Sequence, residues 1–227
     1  MHALIVLGGD APAKDLLESC MRQADLTLAA DSGLTAFDTA GLMPDMLIGD
    51  MDSVAPDVLA RYEGKLPEHR LNCIKDDTDG VDALDVAIRR GADEITLLGA
   101  LGGRLDHALA NLMLLVRAHH HGVRAQILEK GLRIVRVDGS YALHGAKGDT
   151  VSLLPLGEAH GVTLRGFFYP LYDHTLKSDY PLGVSNVITE DEALVSVKQG
   201  DLILFHFFQE SPKDLPDRQT GSLNKLG

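Results

Sequence analysis

The sequence predicts an α/β N-terminal domain with a doubly wound, mostly parallel sheet, followed by an all-β sandwich or barrel domain. Three observations carry this reading. Continuous apolar runs in the first half, such as Ala3-Leu4-Ile5-Val6-Leu7, are the mark of strands covered on both faces. Stretches with helical apolar spacing separate those runs, which makes the connections crossovers. After about Lys130 the helical spacing stops and short β-type runs replace it. The domain division is therefore expected at 1–130 and 131–227.

The first strand empties into Gly8-Gly9-Asp10-Ala11-Pro12, a tight turn and a helix start, with Asp10 as the expected N-cap ahead of the stripe Leu16, Leu17, Cys20 and Met21. The Gly8-Gly9 turn fits neither the P-loop nor the dinucleotide fingerprint. Leu26 to Ala30 repeats the strand pattern and ends in Asp31-Ser32-Gly33. Met46-Leu47-Ile48 leads through Gly49 to Asp50 and Asp52, and Leu71 to Ile74 leads to Lys75-Asp76-Asp77-Thr78-Asp79. From Asp79 a helix carries Val81, Leu84, Ala87 and Ile88 on one face and ends in Arg89-Arg90-Gly91. Glu94 to Leu98 is the next strand; it runs into Gly102-Gly103-Arg104-Leu105-Asp106-His107, where Asp106 is an expected cap for a helix ending at His119-His120-His121. Three consecutive histidines on a helix point in different directions, so they are read as a solvated helix end. In the second half, strands are expected at Arg133 to Val137, Thr150 to Leu154, Gly161 to Arg165, Ala193 to Lys198 and Leu202 to Phe208, with Tyr172 to Pro181 as a loop.

Composition narrows the function. With 227 residues and 45% apolar content the chain can build a substantial core. No apolar run approaches the roughly 20 residues that cross a bilayer, and no basic leader precedes the first strand, so a cytoplasmic protein is expected. A net charge of −12 with no local basic patch argues against nucleic-acid and membrane partners. Cys20 and Cys73 sit among apolar neighbours without metal-type spacing and read as buried thiols.

Ligands of a doubly wound sheet bind beyond the carboxyl ends of its strands, and the acids singled out above lie there. On a strand, Asp50 and Asp52 would share one face and converge, which invites a hard cation; a solvated Asp-rich turn is the alternative. Asp31, Asp50, Asp52, Asp76, Asp77, Asp79 and Asp106 can gather at one sheet edge with the cations Lys75 and Arg104. Carboxylates hold magnesium and cations hold phosphate. Without a serine or cysteine nucleophile paired to a base, and without zinc-type spacing, direct displacement on a magnesium-bound nucleotide is the economical chemistry.

Here the chain resembles the thiamine pyrophosphokinase family over nearly its whole length. Asp31-Ser32-Gly33 is similar to the family's Asp-Gly-Gly turn, Pro44-Asp45 to its Pro-Asp, Gly49 to Ser53 to its Gly-Asp-Phe-Asp-Ser, and Lys75 to Asp79 to its Lys-Asp-x-Thr-Asp. Gly102 to His107 resembles its Gly-Gly-Arg-x-Asp-His segment. In the β half, Ser152 to Leu156, Gly166 to Leu171 and Gly183 to Asn186 resemble its Ser-Leu-x-Pro-Leu, Gly-x-Lys-aromatic-x-Leu and Gly-x-Ser-Asn elements. The chain departs from the family pattern at Ser32, Thr35, Met51 and Phe168, none of which removes a carboxylate.

The resemblance implies transfer of pyrophosphate from ATP to the hydroxyl of thiamine, leaving AMP, in a homodimer whose active sites are shared between subunits. It implies Mg2+ on Asp31, Asp50, Asp52 and Asp79, with Lys75, Asp76, Thr78, Arg104 and His107 around ATP. Asp106 and His107 are candidates for orienting the hydroxyl. Tyr169, Ser185 and Asn186 are the expected thiamine contacts, supplying a stacking face and polar groups for a pyrimidine edge. The Phe-rich strand Leu204 to Phe208 is expected to give one face to the core and the other to the partner subunit. Rival readings are a pyrophosphokinase for another alcohol, such as a hydroxymethylpterin, and a non-catalytic nucleotide-binding regulator.

Overall fold

The computed structural model describes residues 1–69, 78–144 and 146–208. The strands are β1 (His2–Val6), β2 (Leu26–Ala30), β3 (Met46–Ile48), β4 (Glu68–His69), β5 (Glu94–Leu98), β6 (Arg124–Glu129), β7 (Leu132–Val137), β8 (Ser140–His144), β9 (Thr150–Arg165), β10 (Leu171–Lys177), β11 (Asn186–Val187), β12 (Glu192–Ser196) and β13 (Gln199–Phe207). Five α-helices are described: α1 (Lys14–Gln23), α2 (Leu34–Ala40), α3 (Pro56–Tyr62), α4 (Asp79–Arg89) and α5 (Leu105–His120). One hydrogen-bonded path runs β4-β3-β2-β1-β5-β6-β7-β13-β9-β12-β8. It is parallel from β4 to β6 and antiparallel from β6 onward. The result is a mixed sheet with helices followed by a strand-rich C-terminal part.

Alternation along β1 explains the layering. Ala3 and Ile5 face a core completed by Ala83, Leu84 and Ala87 of α4 and Leu114, Leu115 and Ala118 of α5. Leu4 and Val6 face the opposite core, with Leu17 of α1, Phe37 of α2 and Val58 of α3. Each strand residue is thus buried whichever way it points, as its continuous apolar run predicts. Phe37 is 0% exposed, a burial worth on the order of 1.5–3 kcal/mol.

The strand-rich part is not detached from this sheet. The path passes from parallel β6 through β7 to β13, and Ile134 and Ile203 still belong to the core beneath α5. The alternate residues Val135, Val137, Leu202 and Leu204 face a second core with Tyr141, Leu164, Leu176 and Val195. Thr150–Arg165 is one long strand, where the sequence reads two. Its first half pairs with β13, its second half with β10 and β12, and the change comes at a bulge opposite Gly200. Gly157 lies at the change with φ +86, a conformation glycine adopts at little cost.

Several elements depart from the sequence expectation. Leu171–Lys177 is strand β10, not a loop; it is an edge strand paired with β9, bulged at two points, and its outward Tyr172 and His174 disguise the alternation. Strands β6 and β8 carry too little apolar contrast to read as strands in the sequence. The N-cap of α1 is Ala13, because Asp10 is tied elsewhere: its N–H donates to Leu101 O at 2.7 Å. Both faces of β13 are internal from Leu202 to Phe205, since one covers the α5 core and the other the β core; Phe207, 43% exposed, is what remains for a partner. Strand Leu71 to Ile74, with Cys73, lies outside the described residues. Cys20 is a buried free thiol, and burial pushes it up to about 11. Among the described residues no helix is long and apolar enough to cross a membrane.

Candidate active site

The acids converge, but not through strand alternation. Strand β3 stops at Ile48, and Gly49 to Asp52 is a turn in which Gly49 and Met51 have φ +119 and +64. Met51 is 7% exposed and packs into the core beside α2 and α3, which leaves Asp50 and Asp52 outside on either side of it. The turn is held by Asp52 N–H donating to Asp50 Oδ1 at 3.1 Å and Ser53 Oγ donating to Asp52 Oδ1 at 2.9 Å. Asp31 arrives from the end of β2, in a 3-10 turn over Asp31–Gly33 with φ +46. Left-handed backbone at two non-glycine residues, Asp31 and Met51, costs on the order of 1–3 kcal/mol each and collects at functional sites. Gly33 allows the approach: a Cβ there would collide with the Val6 carbonyl.

Carboxylate oxygens of Asp31, Asp50 and Asp52 all lie within 4.8 Å of one another. Asp79, the first residue of α4, joins them across Gly49, where a Cβ would sit 2.7 Å from Asp79 Oδ1 and 3.4 Å from Asp31 Cβ. Burial, followed by the charges of Asp31 and Asp50, pushes Asp79 up to about 6. Asp31 Oδ1 is buried and has no hydrogen-bond donor among the described residues. A buried, unpartnered carboxylate oxygen among like charges is costly, and a hard divalent cation removes that cost: a set of anionic, all-oxygen ligands fits magnesium.

The remaining candidates divide. Thr78 caps α4, its Oγ1 accepting the Val81 N–H at 3.4 Å, at the helix end that starts with Asp79. Lys75, Asp76 and Asp77 lie outside the described residues. Asp106 is not the cap of α5; Arg104 occupies that position and grips the Asp106 carboxylate through Nε at 3.1 Å and Nη2 at 2.6 Å. That guanidinium holds Asp106 at about 2, far too low to take a proton from an alcohol near neutrality. His107 is exposed beside it.

In the β part, Tyr169 and Asn186 come together. Asn186 Nδ2 donates to Tyr169 O at 2.7 Å, and Asn186 Oδ1 accepts Tyr169 N–H at 3.0 Å and Val187 N–H at 2.9 Å. Asn186 is 6% exposed, so its amide is occupied in holding the Tyr169 segment, while the Tyr169 ring is 66% exposed. The Phe168 ring meets it edge-on at 4.8 Å. Ser185 is exposed with φ +60, and its N–H donates to Ser152 Oγ at 3.0 Å. Two polar residues that sequence reasoning passed over also belong near the site: Asn111 of α5 and Glu129 at the end of β6, both bonded to the Ala100 peptide.

A parallel sheet that gathers carboxylates at its carboxyl edge, with an arginine-bearing helix start alongside and an aromatic rim on a strand-rich half, defines a class: an α/β transferase acting on a polyphosphate. Residues 17–127 match the description "Thiamin pyrophosphokinase, catalytic domain" and residues 135–202 match "Thiamin pyrophosphokinase, vitamin B1 binding domain". The chain is 30% identical over 204 residues to the "Thiamine pyrophosphokinase" of Bacillus subtilis (strain 168), covering 88% of this chain and 95% of that one. The chain belongs to the thiamin pyrophosphokinase family. The crystal structure of the Bacillus subtilis thiamine pyrophosphokinase superposes with a TM-score of 0.82 at 27% identity, covering 92% of this chain and all of that one. The thiamin pyrophosphokinase from Candida albicans shares the fold, with a TM-score of 0.79 at 16% identity over 92% of this chain and 89% of that one.

Proposed function

We propose that the protein transfers the pyrophosphoryl group of ATP to the hydroxyl of thiamine, giving thiamine diphosphate and AMP. The observation that carries this is the convergence of Asp31, Asp50 and Asp52, with Asp31 Oδ1 buried and unpartnered, in a chain whose other half matches a vitamin B1 binding domain. Asp31, Asp50, Asp52 and Asp79 are the proposed holders of Mg2+, which when bound supplies charge neutralisation to the phosphates. Lys75, Asp76, Thr78, Arg104 and His107 are the proposed ATP residues, with Thr78 at the start of α4 and Arg104 at the start of α5. Arg104 meets phosphate by sharing or leaving Asp106, and while the pair is intact Asp106 acts on the geometry of Arg104. Tyr169 offers thiamine its exposed ring, Ser185 a polar group, and Asn186 the support that fixes the Tyr169 backbone.

With the reactants held in line, orientation and charge stabilisation carry most of the rate. The finer architecture proposed with this function is a doubly wound catalytic domain over 1–130 and a thiamine-binding, dimerising β-sandwich over 131–227. The partner is proposed to be a second copy, with shared sites: Leu105, Leu109 and Met113 are 74%, 51% and 41% exposed and recur on one face of α5 beside Arg104. A cytoplasmic location goes with the buried Cys20 thiol.

Incubating the protein with ATP, Mg2+ and thiamine, then resolving nucleotides and thiamine esters, tests the reading. AMP and thiamine diphosphate in equal amounts are expected. AMP with a hydroxymethylpterin but not with thiamine would move the acceptor, and no AMP with either would leave a nucleotide-binding regulator.

A further inference from the structure

The carboxyl ends of β1 and β5 are where the order of connections reverses, since β1 has β2 on one side and β5 on the other. Two turns meet there. Gly9 N–H donates to Gly99 O at 2.8 Å and Asp10 N–H to Leu101 O at 2.7 Å. The fit is tight: a Cβ on Gly9 would collide with the Leu101 carbonyl, and one on Gly102 with the Asp10 carboxylate. The second turn continues through Gly103, with φ +61, directly into Arg104 and α5.

At the centre of the second turn is the Ala100 peptide, with Ala100 1% exposed. Its N–H donates to Glu129 Oε1 at 3.2 Å and its carbonyl accepts Asn111 Nδ2 at 2.8 Å. Glu129 comes from the end of β6 and Asn111 from the second turn of α5, so two elements grip one residue, through the two successive peptide groups that flank its Cα. Asn111 also abuts α4: a Cβ on Gly80, next to Asp79, would lie 3.3 Å from Asn111 Oδ1. One side chain therefore spans the segment that carries Arg104 and the helix that starts with Asp79.

We propose that Glu129 and Asn111 are positioning residues for the transfer, which clamp the Ala100 peptide and thereby set Arg104 and the start of α5 relative to the carboxylate cluster. This rests on the pyrophosphokinase reading of the site. Neither side chain touches substrate; each acts through the turn. A half-buried carboxylate is an expensive way to hold a backbone N–H. Burial pushes Glu129 up to about 7, and the charge of Asp10 adds to that, while the amides of Ala100, Leu101 and Gly99 pull it back. The ionised form, with more acceptor capacity, holds the turn more firmly. The charge of Asp10 acts on it, and the amide of Asn111 holds the next peptide group, at the Ala100 carbonyl.

The test uses Glu129→Gln, which keeps length and an acceptor oxygen but removes charge, with Asn111→Ala and the double variant. For Glu129→Gln at pH 8, Tm should equal or exceed that of the wild type, because a disfavoured buried charge has been removed. Yet kcat/KM for ATP should fall about tenfold, with KM for thiamine unchanged and the dependence of kcat/KM on pH between 6 and 8 flattened. Hydrogen exchange at the amides of Ala100 and Leu101 should speed up by about tenfold. Because both side chains act on the backbone of one residue, the double variant should lose less than the product of the single losses. Multiplying losses, equal shifts for ATP and thiamine, or wild-type exchange and ATP kinetics in Glu129→Gln would overturn the proposal. Absence of AMP from the wild type would overturn the functional reading instead, and the exchange measurement would still decide the clamp.

Discussion

At Gly49 the backbone passes against the Asp79 carboxylate and the Asp31 Cβ with φ +119, and both facts forbid a side chain: the conformation disfavours one, and a Cβ would press on Asp79 Oδ1 at 2.7 Å. Gly49→Ala should cost about 1–3 kcal/mol of stability and displace Asp79, so thermal denaturation should shift down and the stabilisation given by Mg2+ should shrink. Asp52→Asn leaves the turn geometry available but removes an anionic ligand. It should lower AMP formation by more than about tenfold, equivalent to ~1.4 kcal/mol in the barrier, while the unliganded protein keeps its Tm. Asp79 gives the pH signature. Its carboxyl rises from 3.8 to about 6 on folding, so the folded state holds the proton more tightly than the unfolded chain. Its contribution to stability is complete below about 3.8 and is lost as pH rises through about 6. Metal-free protein should therefore melt lower at pH 7 than at pH 5 on this account, and Asp79→Asn should reduce that difference; scanning calorimetry in chelator checks both.

Among the elements, the bridge between the segment before β10 and strand β11 separates support from contact. Asn186 uses its amide on three backbone groups and is 6% exposed, whereas the Tyr169 ring it positions is 66% exposed. Tyr169→Ala should leave Tm nearly unchanged and raise KM for thiamine well above any change for ATP. Asn186→Ala should do the same to KM but also destabilise by about 1–3 kcal/mol, because buried N–H and C=O groups lose their partners. Equal Tm values for the two variants, by differential scanning fluorimetry, would place Asn186 in direct contact with substrate rather than in support. The same distinction separates the two helix starts: Thr78 caps α4 with its own side chain, whereas α5 begins at an arginine engaged with Asp106.

For the whole molecule, an apolar stripe beside the site asks for cover. Leu109→Glu should turn the proposed dimer into a monomer by light scattering and, with sites shared as proposed, should reduce AMP formation at protein concentrations where the wild type is fully active. Strands β1, β2, β3 and β5, helices α1, α4 and α5, the acids that follow β2 and β3, and the run of strands after residue 130 were legible in the sequence. The reason is that a fully buried strand must be apolar throughout, and a turn at its end must be glycine or a short polar residue. Strand β10 was not legible, because an edge strand with bulges satisfies no simple period. Nor was the continuity of one sheet through β6, β7 and β13, which rests on pairing between segments far apart in the chain. The sequence by itself determined which acids are present and that they lie at strand ends, because residue type and local period are properties of neighbours along the chain. Only the tertiary structure decided that Met51 turns inward so that Asp50 and Asp52 can meet Asp31, that Arg104 is engaged with Asp106, and that Glu129 and Asn111 both bond the backbone of Ala100. Those outcomes depend on left-handed turns, burial and contacts between remote segments, which no local pattern encodes.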